Sequence, residues 1–272
     1  MKLEEVFEQT HKLPTIPKVV QELIDSFSKD DIDIDTIAKK IAQDQVITAK
    51  VLRLANSAHF GASRQIGSVQ EAVVVLGFNT VRTLVVASGI TGAFVATPGF
   101  DRKAFWKHSL SVATIIKWLA KQAKSNPEVA FTCGMIHNIG EMLIHIVAPE
   151  IAAKIDKFVE SGGDRVALED NNIGFDYVMV GEELARRWNF PNDIQQAVKF
   201  QNNPQEPNDK LSALLFLAKL IANLQRESAD LEEIAAQIPD DVLTISGINK
   251  ESLQGKLAEL SELSSGMEEV IG

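Results

Sequence analysis

The chain of 272 residues carries a formal net charge of −10 and 45% hydrophobic residues, enough for one large domain or two small ones around a sizeable core. Its acidity, with a sequence pI of about 5.1, excludes a general electrostatic attraction to DNA, RNA or anionic lipid. The single cysteine, Cys133, excludes an internal disulfide framework and a zinc site built from several thiolates, and fits a reducing compartment.

In chain order, the acidic start Met1 to Glu8 lacks the basic and apolar regions of a signal peptide. No uninterrupted apolar stretch of about 18 residues stands out, so no membrane span is expected and the expected location is cytoplasmic. Helical periodicity recurs, strict alternation is scarce, and the expected fold class is all-α. Pro17 opens a helix with Val20, Leu23, Ile24 and Phe27 as its apolar stripe, and Asp35 offers an N-cap for a short helix with Ile37, Ala38 and Ile41 inward. Val46 to Asn56 forms the next helix, Ser68 caps another through Val73 and Leu76, and Gly77-Phe78-Asn79 breaks the chain before a long apolar helix from Thr80 to Phe94.

Thr97-Pro98-Gly99 is the clearest punctuation in the first half and marks a subdomain boundary. Phe100 to Lys124 is amphipathic, and Asn126-Pro127 starts a helix that is apolar almost all round, runs to Val147 and carries His137-Asn138. Gly162-Gly163, Asn171 to Gly174 and Asn189-Phe190-Pro191 punctuate the helices that follow. Gln201 to Asn208 is a polar, proline-containing linker, and a strong helix begins near Lys210. The expected division is 1–98, an N-terminal helical subdomain; 99–204, a second helical subdomain; and 205–272, a helical extension ending near Ile271.

His137-Asn138 is the most informative pair. A hydrolase that holds a hard metal wants His-Asp at such a spot, where imidazole and carboxylate together bind the ion and tune its water. Here an uncharged amide stands in the carboxylate's place.

Leu13-Pro14-Thr15-Ile16-Pro17, then the run Ile41 to Ser57 (IAQDQVITAKVLRLANS), then Ile66, Ala72 and Leu76-Gly77-Phe78, strongly resemble the bacterial HDOD domain, the HD-related output domain, over Leu13 to Pro204. Gln45 departs from the family's usual Pro, which implies a local change in helix initiation. Phe105 to Ser109 and Gly134 to Gly140 resemble the helical core of the wider HD phosphohydrolase superfamily.

That resemblance places His108 and His137 at the two metal-binding histidines, Asn138 at the paired Asp, and Lys219 at the later Asp. Asp176-Tyr177 stands where many relatives have Asp-His, and Phe200-Gln201-Asn202-Asn203 replaces a common His-His. It implies a regulatory domain without HD hydrolase activity and with no cofactor. If any metal is held, His108 and His137 are the residues to hold it, with Glu141 or Asp176; the plainer reading of each is a hydrogen-bonded core histidine.

His137, Glu141 and His145 share a helix face, but the outer two lie about 12 Å apart along the axis, too far for one ion. Cys133 one turn before His137 is a candidate nucleophile, although its apolar surroundings fit an inert thiol better. Arg102, Lys103, Lys107, Lys117, Lys121 and Lys124 form a basic face, solvated or anion-binding. Asn56, Ser57, His59 and Arg64 sit in the family's most distinctive turn, as loop closure or as ligand or partner contacts.

The expected function is bacterial signal transduction through signalling-protein contacts, with a small anionic ligand in the relic pocket, and no nucleic acid or membrane partner. No receiver, cyclic-dinucleotide synthase or phosphodiesterase domain is legible, so such activity is expected from a separate partner. The alternatives are a metal-dependent phosphohydrolase acting on a nucleotide or phosphomonoester, and a non-hydrolysing nucleotide sensor using Lys219 or Arg187. Convergence of His108, His137 and a carboxylate on one point about 2.0–2.2 Å away would favour the enzyme; a Lys219 ammonium there would disfavour it.

Overall fold

The computed structural model describes residues 2–9, 13–28, 33–56, 65–94, 97, 99–227 and 229–260. Among these the regular structure is helical with no strand, as the periodicity predicts.

The first part comprises α1 (Leu3–Glu8), α2 (Lys18–Asp25), α3 (Ile34–Gln43), α4 (Gln45–Ala55), α5 (Val69–Leu76) and α6 (Phe78–Ala93). Asp33, not Asp35, caps α3 by accepting from the Thr36 amide; Asp35 lies in the first turn. Asp44 explains how α4 starts without the usual proline. Its Oδ1 accepts from the Val46 and Ile47 amides, satisfying two donors that a helix start leaves open. In α6 every residue from Val81 to Thr91 is buried, because α2, α4 and α5 cover it on one side and α8 on another.

The second part contains α7 (Arg102–Gln122), α8 (Pro127–Ile136), α9 (Ile139–Val147), α10 (Pro149–Glu160), α11 (Arg165–Ile173), α12 (Tyr177–Arg187) and α13 (Asn192–Lys199). The helix expected to run unbroken from Pro127 to Val147 is two helices. His137-Asn138 forms the turn between α8 and α9, so the pair ends one helix and opens the next. The 127–147 stretch is also long and apolar enough by composition to cross a membrane, contrary to the expectation that no such stretch exists. In the fold 83% of its window is buried, so its apolar surface is satisfied by protein.

Then come α14 (Lys210–Arg226), α15 (Leu231–Gln237), α16 (Asp240–Ser246) and α17 (Lys250–Gln254). The α14 helix packs along α7, and Trp118 of α7 donates its indole N–H to Glu259 at 2.9 Å. Phe94 meets Trp106 and Trp188 edge-on at 6.2 Å each, and Gln21 donates to the Trp188 carbonyl at 2.7 Å. These contacts join the first part to the second through one continuous apolar core.

Two glycines set the spacing around the His-Asn turn. A Cβ on Gly134 would lie 2.5 Å from Ala113 Cα, so α8 approaches α7 backbone to backbone. A Cβ on Gly140 would lie 2.0 Å from the Tyr177 carbonyl oxygen, which fixes α9 against α12.

Candidate functional site

His108 comes from α7, whose start is capped by Asp101, and His137 from the C-terminal end of α8. The close α7 to α8 approach at Gly134 brings the two rings together edge to face, with centroids 5.9 Å apart. His137 Nδ1 lies 2.6 Å from the Gly134 carbonyl. A carbonyl only accepts, so Nδ1 carries the hydrogen and Nε2 keeps its lone pair. Burial pushes the His108 imidazole down to about 4, helped by Arg226 and Lys219. His137 is held well below the usual histidine range by burial, with Lys219 and then His108 adding to it. Both rings are neutral at pH 7.

Asn138 is buried, and its Oδ1 accepts from the Ser109 hydroxyl at 2.9 Å. Lys219 projects from α14 into the neighbourhood of both imidazoles. Its Nζ donates to Gln201 Oε1 at 2.7 Å, to Asn202 Oδ1 at 2.5 Å and to the Tyr177 hydroxyl at 3.3 Å. All three acceptors are neutral at pH 7, since burial pushes the Tyr177 phenol further up. With no carboxylate beside it among the described residues, burial drives the Lys219 ammonium down to about 7.

Gln201 is the residue that sequence reasoning missed. It was placed in a surface linker, yet it is fully buried and donates to the carbonyls of His137 and Val198 at 2.8 Å each. The available signal was its position in the place of a common His.

The carboxylates that were candidates to complete a metal site are engaged elsewhere. Asp176 caps α12 through the Met179 amide at 2.8 Å. Glu141 lies beside Arg165 at 3.5 Å, in a cluster with His145, Asp156 and Glu169. Among the described residues no three His, Cys, Asp or Glu side chains are grouped to hold a metal. An ammonium near the two imidazoles, and an amide at the second position, do not fit a divalent cation.

Asn56 is spent on loop closure: it donates to the carbonyls of Leu52 and Ile66 and accepts from the Ile66 amide at 2.7 Å. Ser57, His59 and Arg64 lie outside the described residues. Cys133 is buried, and burial pushes its thiol far up, which leaves it protonated and unreactive. On the basic face, Lys117 pairs with Glu128 at 2.9 Å and Arg102 donates to the Thr91 carbonyl. Arg187 bonds Glu183 at 2.7 Å and lies over the Phe7 ring.

The fold defines a helical domain of the HD-like type. The HDOD domain family matches residues 13–204, and the chain belongs to it. The chain is similar to a crystal structure from Shewanella amazonensis, provisionally named a phosphohydrolase, with 35% identity, 98% of each chain covered and a TM-score of 0.83. An HDOD domain protein of unknown function from Geobacter sulfurreducens shares the fold, with 24% identity, 96% of each chain covered and a TM-score of 0.81. So does a Marinobacter aquaeolei protein provisionally named for signal transduction, with 20% identity and a TM-score of 0.75, covering 97% of this chain and 59% of that one. An uncharacterised Treponema pallidum protein is 26% identical over 246 residues, 88% of this chain. The chain spans about half or less of the length of the curated relatives it matches, 47% and 35%.

Proposed function

We propose that this chain is a non-catalytic signal-transduction domain, bacterial and cytoplasmic, working through contacts with signalling proteins. The observation that carries the reading is the Lys219 ammonium, bonded to Gln201 and close enough to both His108 and His137 to depress them. The Lys219 ammonium repels a divalent ion where a carboxylate would attract one, and the two neutral imidazoles bring no negative charge to offset it. On this reading His108, His137, Asn138, Tyr177 and Lys219 are the remains of a metal site, within a chain organised as 1–98, 99–204 and 205–272. The signal-transduction name of the Marinobacter relative is in keeping with it; the phosphohydrolase name of the Shewanella relative supports the alternative of a metal-dependent enzyme.

Lys219 also favours a second reading. A half-buried cation with no carboxylate partner among the described residues, acting on His108 together with the exposed Arg226, provides positive potential for a small anion such as a nucleotide phosphate.

Metal analysis of the purified protein, with a hydrolysis panel of phosphomonoesters and nucleotides, separates these readings. Signalling predicts substoichiometric metal and no turnover. Stoichiometric metal with turnover that His137→Ala abolishes establishes the enzyme. Heat stabilisation by a nucleotide without hydrolysis, lost in Lys219→Met, establishes the sensor.

A further inference from the structure

His145 on α9 lies between two oxygens. Its Nδ1 is 2.9 Å from the Glu141 carbonyl, and its Nε2 is 2.7 Å from Asp156 Oδ2 on α10. A carbonyl oxygen only accepts. The other Asp156 oxygen takes an Arg165 N–H from α11 at 2.6 Å, which keeps that carboxylate ionised. Both ring nitrogens therefore face acceptors, and both are hydrogen-bonded only when both carry hydrogens, that is, as the imidazolium.

We propose that His145 is a proton-operated clasp that holds the α10 to α11 hairpin against α9, closed with the imidazolium and loosened when the ring proton leaves to solvent. A neutral imidazole turns a lone pair toward one of the two oxygens, so one contact changes from a bond to a repulsion. Arg165 then faces Asp156, Glu169 and Glu141, at 2.6, 3.3 and 3.5 Å, without the imidazolium charge beside it.

The groups around the clasp are Glu141 from α9, Asp156 from α10, Arg165 and Glu169 from α11, the Tyr177 phenol from α12, and Arg226 from α14 acting on Glu141. The Phe100 ring lies 4.4 Å from the His145 ring, centroid to centroid, a contact that also favours the cation.

The signs agree. Burial alone lowers His145, but the Asp156 and Glu141 bonds outweigh it and the net shift is upward. Its stabilisation is therefore complete below the ordinary value of 6.5 and is lost as pH rises through the folded value. Burial holds the Glu169 carboxyl up at about 7, so its ionisation costs the same cluster stability between the ordinary value of 4.5 and about 7, with no further loss above. Asp156 is depressed, so its stabilisation is complete above the ordinary value of 3.8 and is lost only in acid. Glu169 also accepts the Tyr177 amide at 2.6 Å, so the clasp reaches the first residue of α12, whose hydroxyl lies under Lys219. The inference stands independently of the signalling reading.

The test is hydrogen exchange of residues 149–173, corrected for intrinsic rates, from about pH 6 to about pH 8.5, with ¹⁵N shifts of the His145 ring in the same wild-type protein. The expected result is hairpin protection falling up to about tenfold per pH unit between the ordinary value of 6.5 and the folded value and levelling off above it, while α6 and α7 keep theirs, with both ring nitrogens in the imidazolium range near pH 6. In Asp156→Asn the amide can turn to suit a neutral ring, so the profile flattens. Flat wild-type protection, a neutral His145 near pH 6, or an unchanged slope in Asp156→Asn overturns the proposal. The wild-type measurements decide it alone if the variant does not fold.

Discussion

Lys219 and His137 are joined through one side chain: Gln201 accepts the lysine's Nζ at 2.7 Å and donates its own amide to the His137 carbonyl at 2.8 Å. A buried glutamine thus ties α14 to the turn between α8 and α9 and sets the lysine close to the imidazoles. Lys219, Gln201 and the His137 carbonyl are parts of one hydrogen-bonded polar core.

Gln201→Leu should cost about 2–3 kcal/mol, because the His137 and Val198 carbonyls lose their amide partner and Lys219 loses one of its acceptors. Urea denaturation measures it, with an unchanged m-value expected. A loss under about 0.5 kcal/mol would show that water replaces the amide without cost.

On the proposed reading, acid placed at positions 138 and 219 should create metal affinity. Asn138→Asp with Lys219→Asp removes the cation and adds two carboxylates to two imidazoles that burial keeps neutral. Calorimetric titration with Zn²⁺ or Mn²⁺ should show binding at least about tenfold tighter than wild type, or about 1.4 kcal/mol. Equal affinities would mean that the helices do not bring these positions to a common point.

Lys219 should titrate near neutrality. Competitive labelling with an amine reagent, followed peptide by peptide, should give it a midpoint at about 7 while surface lysines remain several units higher. Holding that charge costs the fold stability below about pH 7, and the cost is relieved as pH rises toward the ordinary lysine value of 10.5. This sign is opposite to that of His145, so global stability mixes the two and only local measurements separate them. Gln201→Glu should move the Lys219 midpoint back up by supplying a carboxylate.

The close backbone approaches should tolerate no side chain. Gly134→Ala pushes a methyl group against Ala113 Cα, and Gly140→Ala pushes one against the Tyr177 carbonyl. Each should destabilise by roughly 1–3 kcal/mol or more in thermal or urea unfolding, with Gly140→Ala the worse because its clash is shorter and wholly with backbone.

Much of this was legible from the residues in order. Helix starts at Ser68 and Asn126 follow from side chains that cap their own neighbours, a contact spanning two or three positions. The family pattern from Leu13 to Phe78 is likewise local. Where the reading failed, a local signal was ambiguous or a distant partner decided the outcome. Asp33 and Asp35 are equivalent as caps on composition alone. The break at His137-Asn138 is hidden in an apolar run that reads as one helix until α7 and α12 close on either side of it.

The charged cluster was the least legible part. Glu141, His145, Asp156, Arg165 and Glu169 are spread over α9, α10 and α11, and only helix packing brings them within bonding distance. Gln201 looked like a loop residue because its neighbours are polar and proline-rich, yet it is buried by helices distant in sequence.

By itself the sequence determined that the protein is helical and that it has the HDOD pattern, because these depend on composition, short-range capping and the order of residues. Only the tertiary structure decided that His108 meets His137, that Lys219 lies near both imidazoles through Gln201, and that His145 sits between two acceptor oxygens. The physical reason is range: capping and periodicity act within a turn or two of helix, whereas charge states and site geometry are set by burial and by partners brought together only when the helices pack.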